Sequence, residues 1–417
     1  MPQRTHMGNN SSTNKLKIIN DPVYGFIKIP YDTVFDLIEH PLFQRLRRIR
    51  QLGLTHLVYP GANHTRFQHA VGAMHLMGLA IEVIRAKGHA ISEEEAKGVT
   101  IAILLHDIGH GPFSHSLEHS LIRNTTHEEI SLMLMERLNE EFEGKLSMAI
   151  QIFKNQYPKK FLHQLVSSQL DMDRLDYLKR DSFFTGVTEG VIGSDRIIKM
   201  LNVLNDQLVV EEKGIYSIEK FLIARRLMYW QVYLHRTVVA SEQILVQMLK
   251  RAQALTSDGM ELFATPALAY FLREHNQYSL DQFTLLDDED ILASAKVWCN
   301  NSDKILSMLA NGLVSRKLFY VELNSQSFHS ERVTQIREQV AEELSIKPRE
   351  AEYLVVSDSV SNYAYSNMDD RITIMDKYGS TRDIAEASDI LNISVLSKNV
   401  RKYFLCYPRT LENTDQI

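Results

Sequence analysis

The sequence predicts a mainly α-helical bundle domain with a small β-hairpin at its N-terminal edge and a smaller C-terminal α/β portion. Three observations carry that expectation. Apolar residues recur every three or four positions over most of residues 31–312, residues 15–30 read as two short β runs around a turn, and the remaining β-rich runs fall after about residue 312. The chain has 417 residues, 44% of them hydrophobic, which suffices for one large domain and a smaller one.

Taken in order, residues 1–14 are polar, lack the apolar run of a signal peptide and are expected to form a flexible tail. KLKII and GFIKI then flank Asn20-Asp21-Pro22, a turn-forming cluster in which proline fixes φ, and so predict the hairpin. Helical spacing runs through PLFQRLRRIRQL, RFQHAVGAMHLMGLAIEVI, EEAKGVTIAILLHD, HEEISLMLMERL and the long IEKFLIARRLMYWQVYLHRTVVASEQILVQML. Beyond the composition shift, KLFYVEL, YLVVSDSV, RITIMD and KYFLCYP alternate with helical stretches at 331–344 and 381–391. Their order matches a ferredoxin-like arrangement, so 15–312 is taken as the main domain and 313–417 as a C-terminal subdomain.

Composition excludes several function classes. Net charge is −6 and the basic residues are scattered, which leaves no stripe for a nucleic-acid duplex; any phosphate site is a local pocket. Only Cys299 and Cys406 occur, too few for a disulfide framework, and a reducing, cytoplasmic setting is expected. The apolar stretch 71–86 is broken by His75 and Glu82, short of the roughly 18 uninterrupted residues that span a bilayer, so no membrane partner is expected.

Ten of the sixteen histidines lie between His56 and His127, a concentration that points to a shared site. In LLHDIGHGPFSH, His106 and Asp107 close an apolar helix, and Gly109, Gly111 and Pro112 then break it, so the pair sits where a cleft can open. Neighbouring helical residues point about 100° apart, so one such pair needs partners from other helices to enclose a cation. TRFQHAVGAMH offers His69, with Arg66 one turn earlier on nearly the same face, and LDMDRLDYLKRD offers Asp171, Asp173, Asp176 and Asp181. Two imidazoles and two carboxylates suit Mn²⁺, Fe²⁺, Ni²⁺ or Zn²⁺.

These motifs resemble the HD-domain phosphohydrolases, and within them the dNTP triphosphohydrolases of the SAM-and-HD-domain type. The resemblance covers about residues 15–240, from NDPVYGFIKI through FQRLRRIRQLG, YPGANHTRFQHAVG, LLHDIGHGPFSH, THEE and LDMDRLDYLKRD to RRLMYWQVYLHR, with no SAM domain expected ahead of the hairpin. It implies an HD-domain helical bundle in which His69, His106, Asp107 and Asp173 are the metal ligands. It further implies that His127 protonates the leaving sugar oxygen, with His110 and Glu128 tuning it, and that Arg66 and His115 contact phosphates. Gln51 and Asp181 would meet the sugar 3′-hydroxyl and Tyr177 and Tyr233 the sugar itself. Leu52, Arg174, Arg225 and Tyr229 complete the implied substrate-binding set. Two positions depart from the family pattern: Arg174 replaces a lysine and Tyr229 a histidine.

The chemistry agrees with those residue types. Hydrolysis at an α-phosphorus needs a metal-acidified water, cationic groups for three phosphates and an acid for the 5′ oxygen. Guanidinium forks match phosphate oxygens, and histidine titrates near working pH. The expected reaction converts a dNTP to a deoxynucleoside and inorganic triphosphate, with Mg²⁺ able to accompany the nucleotide. Another nucleotide phosphoester, such as a monophosphate, an alarmone or a cyclic nucleotide, is the alternative substrate. A non-catalytic regulatory or nucleic-acid-binding oligomer is the alternative class. The resemblance also implies a homo-oligomer, a dimer or tetramer.

The remaining candidates read as structural. His56, His64, His75, His89, His119 and His163 are taken as surface or satisfied core histidines, and His235 is left open. Asp171 and Asp176 are expected to cap or to pair locally, with only one approaching the site. The arginines of FQRLRRIRQLG read as a solvated helix face or a subunit interface.

Overall fold

Strands β1 (Ile18–Asp21) and β2 (Gly25–Lys28) pair antiparallel around a turn that Asp21 closes, its Oδ1 accepting the backbone N–H of Val23 and Tyr24 at 2.9 and 3.0 Å. They open a computed structural model that describes residues 17–113, 125–273, 279–362, 365, 371–389 and 400–409. The tail expected over residues 1–14, His115 and His119 lie outside the described residues. The principal helices are α1 (Asp32–Glu39), α2 (Arg66–Ala86), α3 (Glu93–Leu105), α4 (His127–Glu141), α5 (Met172–Thr185), α6 (Ile215–Met228), α7 (Arg236–Ser257), α8 (Asp288–Trp298), α9 (Lys304–Val314) and α10 (Ser330–Leu344).

Local sequence explains where these helices start. Thr65 with Gln68, Ser92 with Glu95 and Thr126 with Glu129 form capping boxes that satisfy the first N–H groups of α2, α3 and α4, while Asp171 caps α5 by accepting the N–H of Arg174 at 2.7 Å. Helix α2 is buried on most sides and packs against α3 and α5. It is long and apolar enough by composition to cross a membrane, yet 67% of its most apolar window is buried within the fold, which marks a central core helix. A Cβ at Gly72 would lie 2.1 Å from Arg180 Nη2 and Asp176 Oδ1, so glycine there lets α2 and α5 approach.

Tertiary contacts override the helical spacing in two places. PLFQRLRRIRQL forms one α turn, Pro41–Gln44, then a 3-10 turn, Arg45–Arg48. Arg45 alone turns fully inward, buried and donating to Leu286 O and His110 O at 2.9 Å each; Arg47 and Arg48 stay exposed, Arg48 pairing with Asp287, and the backbone N–H of Arg50 donates to Asp288 Oδ2 at 2.9 Å. The expected solvated face is therefore partly core. The long run after residue 215 is likewise divided, because Tyr229–Tyr233 form a π-helical turn between α6 and α7.

Further strands are β3 (Leu201–Leu204), β4 (Gln207–Glu211), β5 (Tyr320–Asn324), β6 (Val356–Asn362), β7 (Thr373–Met375), β8 (Thr381–Asp383) and β9 (Val400–Tyr407). Strands β3 and β4 form a hairpin absent from the sequence expectations; its two-residue turn puts Asn205 and Asp206 at φ 50° and 59°, which Asn and Asp tolerate. The C-terminal portion is α/β; its order along the chain follows the expected one except for an added strand, β8, and its strands are shared between two sheets instead of forming the one sheet of a ferredoxin-like arrangement. One is antiparallel with order β5-β9-β6; in the other, β7 pairs parallel with β4 and antiparallel with β8. The helix expected over 381–391 shrinks to a single turn, Ile384–Ala387, because residues 381–383 are used as β8.

Candidate metal centre and catalytic pocket

Helix ends build the pocket. Arg66 and His69 occupy the first turn of α2, His127 and Glu128 begin α4, and Asp173 and Arg174 lie in the first turn of α5, while His106 caps the far end of α3 and Asp107 follows it. Unsatisfied N–H groups and the positive end of the peptide dipole make such N-termini favourable for anions. The HD turn is held to α4 by Ser131, whose hydroxyl donates to His106 O at 2.8 Å and accepts from Gly109 N at 2.9 Å.

His69, His106 and Asp173 each contribute a ligand atom to a group in which those atoms lie within 4.8 Å of one another. Asp173 Oδ1 is 3.1 Å from His69 Nε2 and 3.5 Å from His106 Nε2. Asp107 stands beside them, Oδ1 3.4 Å from His106 Nε2 and Oδ2 3.7 Å from His69 Nε2, with its carboxylate engaged by Arg66 and by His110 Nε2 at 3.2 Å. The outward nitrogens set the tautomers: His69 Nδ1 meets Asp176 Oδ2 at 2.7 Å and His106 Nδ1 donates to Ile103 O at 2.6 Å. That directs both Nε2 lone pairs towards Asp173, and both Nε2 atoms are buried with no hydrogen-bond partner. Two orphaned imidazole nitrogens beside carboxylates fit a divalent cation.

The local field demands positive charge. Burial disfavours the His69 cation, yet Asp173 and Asp176 outweigh burial and push its pKa up to about 10. Burial likewise opposes the Asp173 carboxylate, but His106 and His69 hold its pKa far below the usual range. Burial and the Arg66 guanidinium together drive His110 well below an ordinary histidine, which keeps it neutral.

The centre opens into a cavity of about 610 Å³. Its walls include Gln51, Leu52, Arg66, His106, Asp107, His110, His127, Glu128, Asp173, Arg174, Tyr177, Asp181, Arg225, Tyr229 and Tyr233, every substrate or acid candidate within the described residues. His110 and His127 stack with centroids 4.0 Å apart, and His127 Nε2 is 3.2 Å from Glu128 Oε1. Arg174 Nη1 pairs with Asp171 at 2.6 Å and Arg225 Nη1 donates to Gln169 at 3.2 Å. Asp181 accepts the Tyr233 hydroxyl at 2.8 Å, and burial and then that carboxylate raise the Tyr233 pKa well above its ordinary value. Of the two flanking carboxylates, Asp171 caps α5 and Asp176 reaches the metal centre through His69.

His64 is a buried core histidine, as expected, pairing through Nε2 with Asp181 Oδ1 at 2.7 Å, whereas His163 meets Ile152 O through Nδ1 at 2.9 Å and also lines the cavity. Phe113, Leu234 and Glu242 also line the cavity; the first two lie inside quoted motifs without having been singled out, and Glu242 carried no motif signal. Asp176 had one: it stands one turn after Asp173 and one turn before Arg180, which binds it through Nε at 2.9 Å.

A helical core that presents a His-Asp turn and converging helix ends to a cavity of about 610 Å³ defines the class, and the chain belongs to the HD-domain phosphohydrolase family. The HD domain matches residues 66–181 and the HD associated region residues 192–402. The chain is similar to a phosphohydrolase of known crystal structure from Bacteroides thetaiotaomicron, 57% identical with a TM-score of 0.91, covering 94% of this chain and 99% of that one. It is 31% identical to the uncharacterized protein YwfO of Bacillus subtilis over 96% of this chain and 94% of the relative. It is also 33% identical to the Dictyostelium discoideum homologue of deoxynucleoside triphosphate triphosphohydrolase SAMHD1, over 54% of this chain and 47% of that protein, so it spans about half of that relative's length.

Proposed function

We propose that the protein hydrolyses deoxynucleoside triphosphates to a deoxynucleoside and inorganic triphosphate. The observation that carries this reading is one cavity lined by His106, Asp107 and Asp173 of the candidate metal cluster, by Arg66, Arg174 and Arg225, and by the Asp181–Tyr233 pair. A monophosphoesterase has no need of three separated guanidinium groups. The similarity to a SAMHD1 homologue supports the same substrate class.

His69, His106 and Asp173, with Asp107 beside them, would hold a divalent ion such as Mn²⁺, Fe²⁺, Ni²⁺ or Zn²⁺, which supplies Lewis-acid charge to acidify a water and draw a phosphate oxygen. Arg66, Arg174 and Arg225 hold the phosphates by charge-assisted hydrogen bonds. Water adds to the α-phosphorus and gives up a proton to solvent, the bond from that phosphorus to O5′ breaks, and His127 protonates O5′; the water oxygen stays on the phosphorus of the inorganic triphosphate, and the deoxynucleoside leaves with a free 5′-hydroxyl. His110 is neutral and stacked on His127, and with Glu128 it orients that ring. Tyr177 and Tyr233 pack against the sugar, where a 2′-hydroxyl would clash, a repulsive form of selection.

Incubating metal-loaded protein with each dNTP, NTP, nucleoside monophosphate, cyclic nucleotide and guanosine alarmone tests this, with phosphate, pyrophosphate and triphosphate resolved as products. Triphosphate from dNTPs is expected. Orthophosphate alone, from any of these, points to a different phosphoester and overturns the reading.

A further inference from the structure

We propose that His64 is the positioning residue of the sugar subsite, tying together the two groups assigned to the 3′-hydroxyl and the tyrosine assigned to the sugar face. This rests on the dNTP reading above and assigns a specificity role within it.

Two contacts meet at this residue, and a third continues from its partner. Its backbone carbonyl accepts the N–H of Gln51 at 3.0 Å, and its Nε2 meets Asp181 Oδ1 at 2.7 Å. The other Asp181 oxygen accepts the Tyr233 hydroxyl at 2.8 Å. Gln51, Asp181 and Tyr233 all line the cavity, whereas His64 does not reach it and is 1% exposed. It therefore acts through its neighbours.

The ring has little freedom. It stacks on Phe184 with centroids 4.6 Å apart and planes 16° from parallel, and its Nδ1 is buried without a hydrogen-bond partner. Asp181 is acceptor-only as a carboxylate, so the short Nε2 contact requires the proton on Nε2 and leaves Nδ1 as a lone pair. Burying such a nitrogen unmatched is unfavourable, and a purely structural core site would be filled better by an apolar ring. What the imidazole adds over that ring is one N–H aimed at Asp181. With Oδ1 held by His64 and Oδ2 by Tyr233, the carboxylate cannot rotate, and its remaining lone pairs keep one direction for a sugar hydroxyl. The loop that carries His64 is pressed onto α5 as well: a Cβ at Gly61 would lie 2.4 Å from Phe184 O.

Loss of that N–H should free Asp181 and Tyr233 together, so the effect falls on sugar discrimination. The test compares wild type with His64→Phe, which keeps the stacking and removes the donor, and His64→Gln, which restores an amide N–H. For each, kcat and KM are measured with a dNTP, its 2′,3′-dideoxy analogue and the matching ribonucleotide, alongside bound metal and melting temperature. In His64→Phe the preference in kcat/KM for the dNTP over the dideoxy analogue should fall about tenfold, the scale of one hydrogen bond, mainly through KM. The ribonucleotide should gain relative to the dNTP, metal content should hold, and His64→Gln should recover most of the preference. A folded, metal-replete His64→Phe with wild-type ratios overturns the role of His64 and leaves the dNTP reading standing. Wild type that hydrolyses none of the dNTPs overturns the parent reading and this one with it.

Discussion

At the residue scale the proposed reading separates groups that would hold a cation from groups that would move a proton. His69, His106 and Asp173 form the compact ligand set, with both imidazole Nε2 atoms buried and unpaired, whereas His127 stands apart from it, stacked on His110. Substitution should therefore split two properties. His106→Ala and Asp173→Ala are expected to lose both bound metal, read by elemental analysis, and turnover. His127→Ala should retain the metal and lose turnover by roughly a hundred- to ten-thousand-fold, the usual contribution of a positioned acid. An unchanged rate in His127→Ala would remove it from the acid role. The residue types were legible in His69, the HD pair and the run of four aspartates, but the choice of Asp173 among those aspartates came from the family resemblance. The contacts of His64 and His163 were not legible, since a histidine's partners depend on which distant side chains fold against it; Asp181 is 117 positions from His64.

At the element scale, glycines set how closely the catalytic helices approach. Gly109 lies so near α4 that a Cβ would come within 2.3 Å of His127 O and Ser131 N, both backbone atoms that cannot yield without moving the helix. Gly109→Ala should push the start of α4 away from the HD turn. The expected outcome is a loss of about 1–3 kcal/mol in stability by denaturant titration and a larger fall in turnover than that loss explains, because His127 moves with its helix. Helix starts were readable from capping pairs such as Ser92–Glu95. Arg45–Arg48 and Tyr229–Tyr233 were not: apolar spacing says helix in both, and the outcome turned on carbonyls and carboxylates at residues 110 and 286–288 for the first.

For the whole molecule, the candidate metal ligands come from three distant stretches of sequence, so a cation bound there would tie the fold together. A ligand bound to the native state at a hundredfold excess over Kd stabilises by about 2.7 kcal/mol, a few degrees for a chain of this size. Removing the metal with a chelator should lower the melting temperature of wild type by that order and leave His106→Ala, which cannot hold the ion, nearly unchanged; equal shifts in both would place the ion elsewhere. Sheet pairing joins the two parts of the chain in the same way, since β4 pairs with β7, 164 residues further on. By itself the sequence determined the helical class, the hairpin, the HD chemistry and the residue types for phosphate and proton transfer, because periodicity, caps and short motifs are local properties. Only the tertiary structure decided which lone pairs face one point, how Asp181 is held from behind by His64, and how the late strands divide between sheets. Those depend on contacts across more than a hundred residues, where the favourable partner is set by the fold and not by neighbours along the chain.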